Sequence, residues 1–150
     1  MSDLRIVPLH ARHREDWERL YAGYAEFYRV TQTEEMRATV WGWIMDPGHE
    51  VKALVAEDAA GRAIGLAHYR PFARPLSASI GGFLDDLFVA PEARGRRVAD
   101  TLIEAVAAEG RRRGWSVIRW ITADDNYRGR GVYDRLATRT MWITYDRKLP

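Results

Sequence analysis

The 150-residue chain contains no cysteine, which excludes disulfides, thiolate metal sites and cysteine nucleophiles. It also has no apolar run of about 18 residues, the length a membrane-spanning helix needs, and its opening stretch, MSDLRIVPLHARHRED, is too polar for a signal peptide. A cytoplasmic protein without a membrane partner is the expectation. An excess of charge of one sign is missing as well: 23 Lys and Arg stand against 21 Asp and Glu, a formal net charge of +2. The field of the whole molecule therefore pulls only weakly on a polyanion such as nucleic acid. Repeats, low-complexity tracts and linkers are absent too. One domain over 1–150 is expected, large enough to bury most of its apolar surface in a single core.

What the chain does have is periodicity. Leu4 to Leu9 reads as a strand, and Trp17, Leu20, Tyr21, Tyr24, Phe27 and Tyr28 then recur at three- and four-residue steps, the mark of an amphipathic helix. Thr33 followed by Glu34 and Glu35 starts a second helix, carried by Met36, Val40, Trp43 and Ile44 and stopped by Asp46-Pro47-Gly48. Val51–Ala56 and Ala63–Arg70 read as a hairpin, Pro71–Ser79 as a loop and Gly81–Val89 as the next strand. Gly95–Arg113 is a helix stopped by Gly114, Val117–Thr122 a buried strand, Val132–Leu136 a short helix and Met141–Tyr145 a last strand. The expected order is βααβββαβαβ.

The most informative stretch is Leu84 to Ala99, LDDLFVAPEARGRRVA, where an apolar strand runs into a basic, glycine-containing turn that opens a helix. A helix N-terminus offers unpaired N–H groups and the positive end of the macrodipole, so the turn can cradle an anion such as phosphate. Arg94, Arg96 and Arg97 add charge-assisted donors. With Arg111, Arg112 and Arg113 they bracket one helix, a distribution that serves a cofactor phosphate, nucleic acid or solubility equally well.

Val89, Pro91 and Arg94-Gly95-Arg96-Arg97-Val98-Ala99 resemble the cofactor motif of the GCN5-related N-acetyltransferase (GNAT) family, Arg/Gln-x-x-Gly-x-Gly/Ala after a strand ending in Val-x-Pro. Arg97 stands at the position of the central glycine. Asn126 and Tyr133, within NYRGRGVYDRLA, resemble the family's Asn-x-x-Ala-x-x-x-Tyr segment, with Gly129 at the alanine. The IGGFLDDLFV segment is similar to that of polyamine-type and small-amine members. The resemblance covers essentially the whole chain and implies an α+β (α/β) fold: a mixed, mostly antiparallel central sheet flanked by helices, with a splayed strand pair that receives acetyl-CoA.

It further implies a site. Leu87, Phe88 and Val89 would offer strand backbone to the pantetheine arm, and Arg94 to Asp100 (Arg94, Gly95, Arg96, Arg97, Val98, Ala99, Asp100) would wrap the pyrophosphate. Asn126 would bond the pantetheine amides or cap the following helix, and Tyr133 would protonate the departing thiolate, a role that its phenol suits at neutral pH. Asp85 or Asp86 would face the amine. Because adjacent strand residues point to opposite faces, only one of the two is expected in the cleft, and Asp85 is favoured. The alternative is a strand acid satisfied by arginine. His68 either lines the cleft or sits as an ordinary core histidine, and Trp41 or Trp43 would wall the acceptor site. His10 and His13 lack an acid at ligand spacing, so no metal is expected. As a first-turn residue, Arg97 is expected to keep ordinary helical dihedrals.

The function implied is direct acetyl transfer from acetyl-CoA to a primary amine of a small molecule, polyamine-like or amino-acid-like, by an enzyme that could form a homodimer. A GNAT-fold domain that binds CoA with little catalysis is the rival, suggested by Arg97 and by the negative charge of Asp100. A nucleic-acid-binding module built on the arginine clusters is the third reading, and the small net charge gives it little.

Overall fold

The computed structural model describes residues 3–150. Strand β1 (Arg5–Pro8) leads through a short 3-10 turn into α1 (Arg14–Phe27), followed by α2 (Glu34–Met45). Three long strands come next, β2 (Lys52–Glu57), β3 (Ala63–Arg74) and β4 (Ser79–Val89). Helix α3 (Val98–Arg113), strand β5 (Ile118–Arg119) and helix α4 (Tyr127–Leu136) complete the described elements. The five strands form one sheet in chain order, antiparallel from β1 to β4 and parallel between β4 and β5.

Local chemistry sets the helix starts. The Thr33 hydroxyl accepts from the Met36 N–H at 3.1 Å and caps α2 as expected. Asn126 caps α4 by accepting from the Gly129 N–H at 3.3 Å, so this helix starts at Tyr127 rather than at the expected Val132. A Cβ at Gly129 would lie 2.5 Å from the Asn126 amide as placed, which explains why glycine fits here. Helix α3 begins at Val98 instead of Gly95, because Gly95 (φ +84°) and Arg97 (φ +58°) both lie in the left-handed region.

Helices α1 and α3 cover the sheet. A Cβ on Gly23 of α1 would meet the Phe88 ring at 3.2 Å, and one on Gly65 of β3 would meet Val98 of α3 at 2.9 Å, so the backbones approach closely. Trp17, Leu20, Leu66, Leu102 and Val106 are fully buried between these layers.

Three further expected segments differ. The buried strand expected over Val117–Thr122 is formed only at Ile118–Arg119, and both residues are half-buried, because the chain leaves β4 after two pairs. The Pro71–Ser79 loop shrinks to the turn Pro75–Ser77, because β3 continues to Arg74. Pro71 fits there since β2 ends at the pair Lys52↔Tyr69, and no strand needs its missing N–H on that side. The last strand is not formed: residues 137–150 carry no regular element, and Met141, Trp142, Ile143 and Tyr145 stand 73–95% exposed. Strand propensity without a neighbouring edge gives no strand.

Candidate active site

Strands β4 and β5 share only the pairs Gly82↔Ile118 and Phe83↔Arg119 and then part. The indole of Trp115 sits at the junction, so tightly seated that a Cβ on Gly82 would fall 2.3 Å from its ring and one on Gly110 of α3 3.2 Å. Beyond the junction, the edge of β4 from Leu84 to Val89 has no strand beside it among the described residues. Its outward N–H and C=O groups need partners wherever water is excluded. A cleft of about 480 Å³ opens along this edge. Leu87, Phe88 and Val89 form its floor, Tyr24 and Phe27 of α1 with Tyr28 just after that helix one wall, and α4 the other.

At one end lies the start of α3. Among the described residues no carbonyl or side chain accepts from the N–H groups of Gly95, Arg96, Val98, Ala99 or Asp100, and Arg97 makes no side-chain cap. Five amides thus converge on one turn at the positive end of a 16-residue helix. Arg94 lies over the Phe27 and Phe88 rings, 5.7 and 5.8 Å from their centroids, and Arg128 and Arg135 add positive charge from α4. The carboxylate of Asp100 does not spoil this site: Arg135 binds it at 3.0 Å and Arg97 at 3.6 Å. Free amides, arginines and an unpaired strand edge suit a ligand with a phosphate-bearing end and an amide-bearing arm.

Further along, Tyr133 packs edge-on against Trp120 of the β5 segment, with centroids 5.5 Å apart. Its hydroxyl has no hydrogen-bond partner among the described residues. Burial, with Tyr28 nearby, pushes the phenol up to about 12, so it holds its proton at neutral pH.

The acidic pair lies farther back along β4. Register shifts between the pairs His68↔Asp86 and Tyr69↔Leu84, so Asp85 is an extra, bulged residue. Asp85 bonds Arg70 Nε at 3.0 Å, while Asp86 Oδ2 accepts from Tyr21 at 2.9 Å and lies 2.8 Å from His68 Nδ1. Since Arg70 and His68 are two residues apart on β3, both carboxylates reach toward one face, and the expected alternation fails at the bulge. Burial would raise the Asp86 pKa, but hydrogen bonds from His68 and Tyr21 outweigh it and hold the group lowered. Burial raises that of Asp85 despite Arg70.

The comparisons with known proteins turn this geometry into a family. Residues 17–137 match the model described as Acetyltransferase (GNAT) family. The chain belongs to the GNAT acetyltransferase family. It is an acyltransferase whose co-substrate is acetyl-CoA. It is 27% identical over 150 residues, 98% of this chain and 93% of the relative, to the D-amino-acid N-acetyltransferase HPA3 of Saccharomyces cerevisiae. A crystal structure of a probable acetyltransferase superposes with a TM-score of 0.83 at 26% identity, each chain 97% covered. Aminoglycoside N-acetyltransferase AAC(6')-Iy in complex with CoA superposes with a TM-score of 0.84 at 24% identity, over 99% of this chain and 96% of that one.

In this acetyltransferase the cleft gathers Leu87, Phe88 and Val89, the turn residues Arg94, Gly95 and Arg97, then Val98, Ala99 and Asp100, and across from them Asn126 and Tyr133. Arg96 does not line it, nor do Asp85 and Asp86. Asn126 caps α4 and donates to the Thr122 hydroxyl at 2.9 Å. Arg97 departs from expectation: its backbone is left-handed, the conformation that a glycine adopts freely. His68 is buried, with Nε2 accepting from the Trp17 indole N–H at 2.9 Å and Nδ1 facing Asp86, an arrangement that fixes the Nδ1–H tautomer. Neither Trp41 nor Trp43 reaches the cleft. Trp41 packs on Trp17 and under Arg14, and Trp43 stacks on His49, whereas Tyr24, Phe27 and Tyr28 form the wall instead. Their helical period was visible, but a face that lines a cleft and one that fills a core share the same period. His13, far from the cleft, binds Glu57 at 2.6 Å. Among the described residues no helix is long and apolar enough to cross a membrane.

Proposed function

We propose that this acetyltransferase moves the acetyl group directly from acetyl-CoA to the primary amine of a small, cationic acceptor. The observation that carries the reading is one cleft joining free helix N-terminal amides, an unpaired strand edge and the unpartnered, protonated phenol of Tyr133. Amides at residues 95–100, with Arg94, would hold the pyrophosphate, and the Leu87–Val89 edge would pair with the amide-bearing arm. Acetyl-CoA supplies a thioester carbon open to attack and a thiolate that leaves. Tyr133 would hold the proton that this thiolate needs.

The acceptor end follows from strand geometry. Each residue back along β4 advances about 3.4 Å, so Asp85 lies roughly 14 Å from Val89 and farther still from the phosphate turn, where the reactive end of an extended arm would arrive. Asp86 is committed to His68 and Tyr21. Asp85 has only Arg70, and the two side chains are 31% and 35% exposed, so a cationic amine can displace the guanidinium at little cost. Relatives named for D-amino acids and aminoglycosides support a small amine as acceptor.

The left-handed Arg97 favours a second reading, a domain that binds CoA with little transfer. Purified protein incubated with acetyl-CoA and a panel of polyamines, amino acids and aminoglycosides, with free thiol followed, separates the two. Amine-dependent thiol release is expected. CoA binding without release from any amine would leave the second reading standing. Asp85→Asn should raise the acceptor KM and spare acetyl-CoA affinity, and an unchanged KM would remove Asp85 from the acceptor site.

A further inference from the structure

Helix α1 ends in a turn that sends the chain back along its own flank. Arg29 takes the left-handed conformation (φ +54°), its N–H on the Glu26 carbonyl at 3.0 Å and that of Val30 on the Ala25 carbonyl at 3.0 Å. Gln32 is then pinned, because Arg37 donates to its carbonyl at 3.1 Å and is itself held by Glu18 of α1 at 2.7 Å. The half-buried Gln32 side chain sets its amide against the Tyr21 hydroxyl. Burial and then Asp86 raise the pKa of that phenol, whereas Gln32 lowers it, as an N–H directed at the oxygen does. A directed chain results: Trp17 donates to His68, His68 Nδ1 and Tyr21 to Asp86, and Gln32 to Tyr21. One atom of it is left over. Gln32 Oε1 is the only buried side-chain oxygen or nitrogen without a partner among the described residues. A buried acceptor that lacks a donor is destabilising, and native structures keep few of them.

We propose that Gln32 Oε1 takes one N–H of the acceptor's primary amine while Asp85 takes another, which makes Gln32 the residue that selects primary over N-substituted amines. This rests on the transfer to an amine proposed above and adds to it a choice between amines. Placement supports it. Tyr21 stands between Gln32 and Asp86, so the Gln32 amide lies two hydrogen-bond lengths, roughly 6 Å, from the Asp86 carboxylate. Asp85 is the next residue, turned to the same face by the bulge. Asp86 is already engaged by His68 and Tyr21, and through Tyr21 it sets the spacing between the two remaining acceptors. The chemistry of the ligand fits as well. A neutral primary amine has two N–H bonds and one lone pair. With one N–H on Asp85 and the other on Gln32, the lone pair is what remains to meet the thioester carbon. An N-methyl amine has a single N–H, so it leaves one buried acceptor unpaired. Sites built on hydrogen bonds reject such analogues far more strongly than apolar pockets do.

Steady-state thiol release, with the panel amine of highest turnover and its N-methyl derivative, tests this. The wild type should favour the primary amine by about tenfold or more in kcat/KM, the effect of one hydrogen bond to a buried group. Gln32→Met keeps the length of the side chain and removes the oxygen. Its KM for the primary amine should rise about tenfold, its KM for acetyl-CoA should not move, and its preference over the N-methyl amine should vanish. Gln32→Glu retains an oxygen acceptor and should retain the preference. Urea unfolding of Gln32→Met separates substrate binding from an internal role: relieved of an unpaired buried oxygen, the variant should unfold at or above the wild-type midpoint. A preference that survives Gln32→Met, an unchanged amine KM, or a lowered midpoint with amine kinetics intact would each overturn this proposal alone. Absence of thiol release with every amine would overturn the transfer reading itself, and this proposal with it.

Discussion

Arg97 holds a left-handed backbone with a bulky side chain, and replacing it separates two explanations of how the turn before α3 is built. For an L-residue this conformation costs about 1–2 kcal/mol, which glycine does not incur. Glycine in turn gives the unfolded chain more freedom, a penalty of about 0.4–1 kcal/mol. The Arg97–Asp100 contact adds little, since the arginine is 77% exposed and Arg135 remains on Asp100 after substitution. The informative comparison is therefore Arg97→Gly with Arg97→Ala, which lose the same guanidinium and differ only in Cβ. At a left-handed position glycine should win by about 0.5–1 kcal/mol after its entropic penalty. At an ordinary helical position alanine would win by about the same amount. The sign decides. Urea unfolding of both variants at neutral pH, or a difference in melting temperature of about 1–4 °C, reads it directly. An alanine variant as stable as the glycine variant, or more so, would refute the strained turn. Acetyl-CoA titration of the same pair adds the functional half: both should bind more weakly than wild type at low salt and approach it at high salt, since what they lose is charge.

Three further outcomes are expected. Tyr133→Phe should lower turnover about 10²-fold or more while leaving acetyl-CoA affinity nearly intact, and calorimetry beside steady-state kinetics checks it; unchanged turnover would remove the acid role. The Glu57 carboxyl is held down to about 2 by hydrogen bonds from Arg12 and His13, so its contribution to stability is present above the ordinary carboxylate range and is lost as pH falls from about 4.5 toward 2. Urea midpoints at neutral and acid pH should drop more steeply in the wild type than in Glu57→Gln, and equal slopes would contradict this. Gly82→Ala drives a methyl into the Trp115 ring and should cost about 1–3 kcal/mol by chemical unfolding; a cost below about 0.5 kcal/mol would mean that the indole is free to shift.

The fold could be read from periodicity and caps where neighbours in sequence are also neighbours in space. The aromatic steps from Trp17 to Tyr28 gave α1, and Thr33 gave the start of α2 within a residue. The turn that opens α3 was legible for the same reason, since strand end, arginines and helix start are contiguous. What could not be read depends on chain segments that meet only after folding. Asp100 finds Arg135 across 35 residues, and Trp17 finds His68 across 51. The bulge at Asp85 is a matter of register between β3 and β4, which alternation within one strand cannot reveal. Arg97 misled in another way: an arginine just before a helix looks like a first-turn residue, and only the path from Gly95 forces its backbone to the left-handed side. The segment Met141–Tyr145 carries the composition of a strand, but a strand exists only with its neighbour.

The parting of β4 from β5 has an evolutionary consequence. Along Leu87–Val89 and at residues 95–100 the cleft presents main chain, which every sequence carries, whereas its opposite side and the region of Asp85 present side chains from α1 and β3. In the arrangement proposed above, substitutions can thus rewrite what the acceptor end prefers without disturbing the ladder groups that would face the donor. Partner choice becomes a property that drifts quickly on a chassis that drifts slowly. Two descendants of such a chain would diverge first at Tyr24, Phe27, Tyr28, Arg70 and Asp85, and would be told apart by the amines they take long before they differ in the thioester they use.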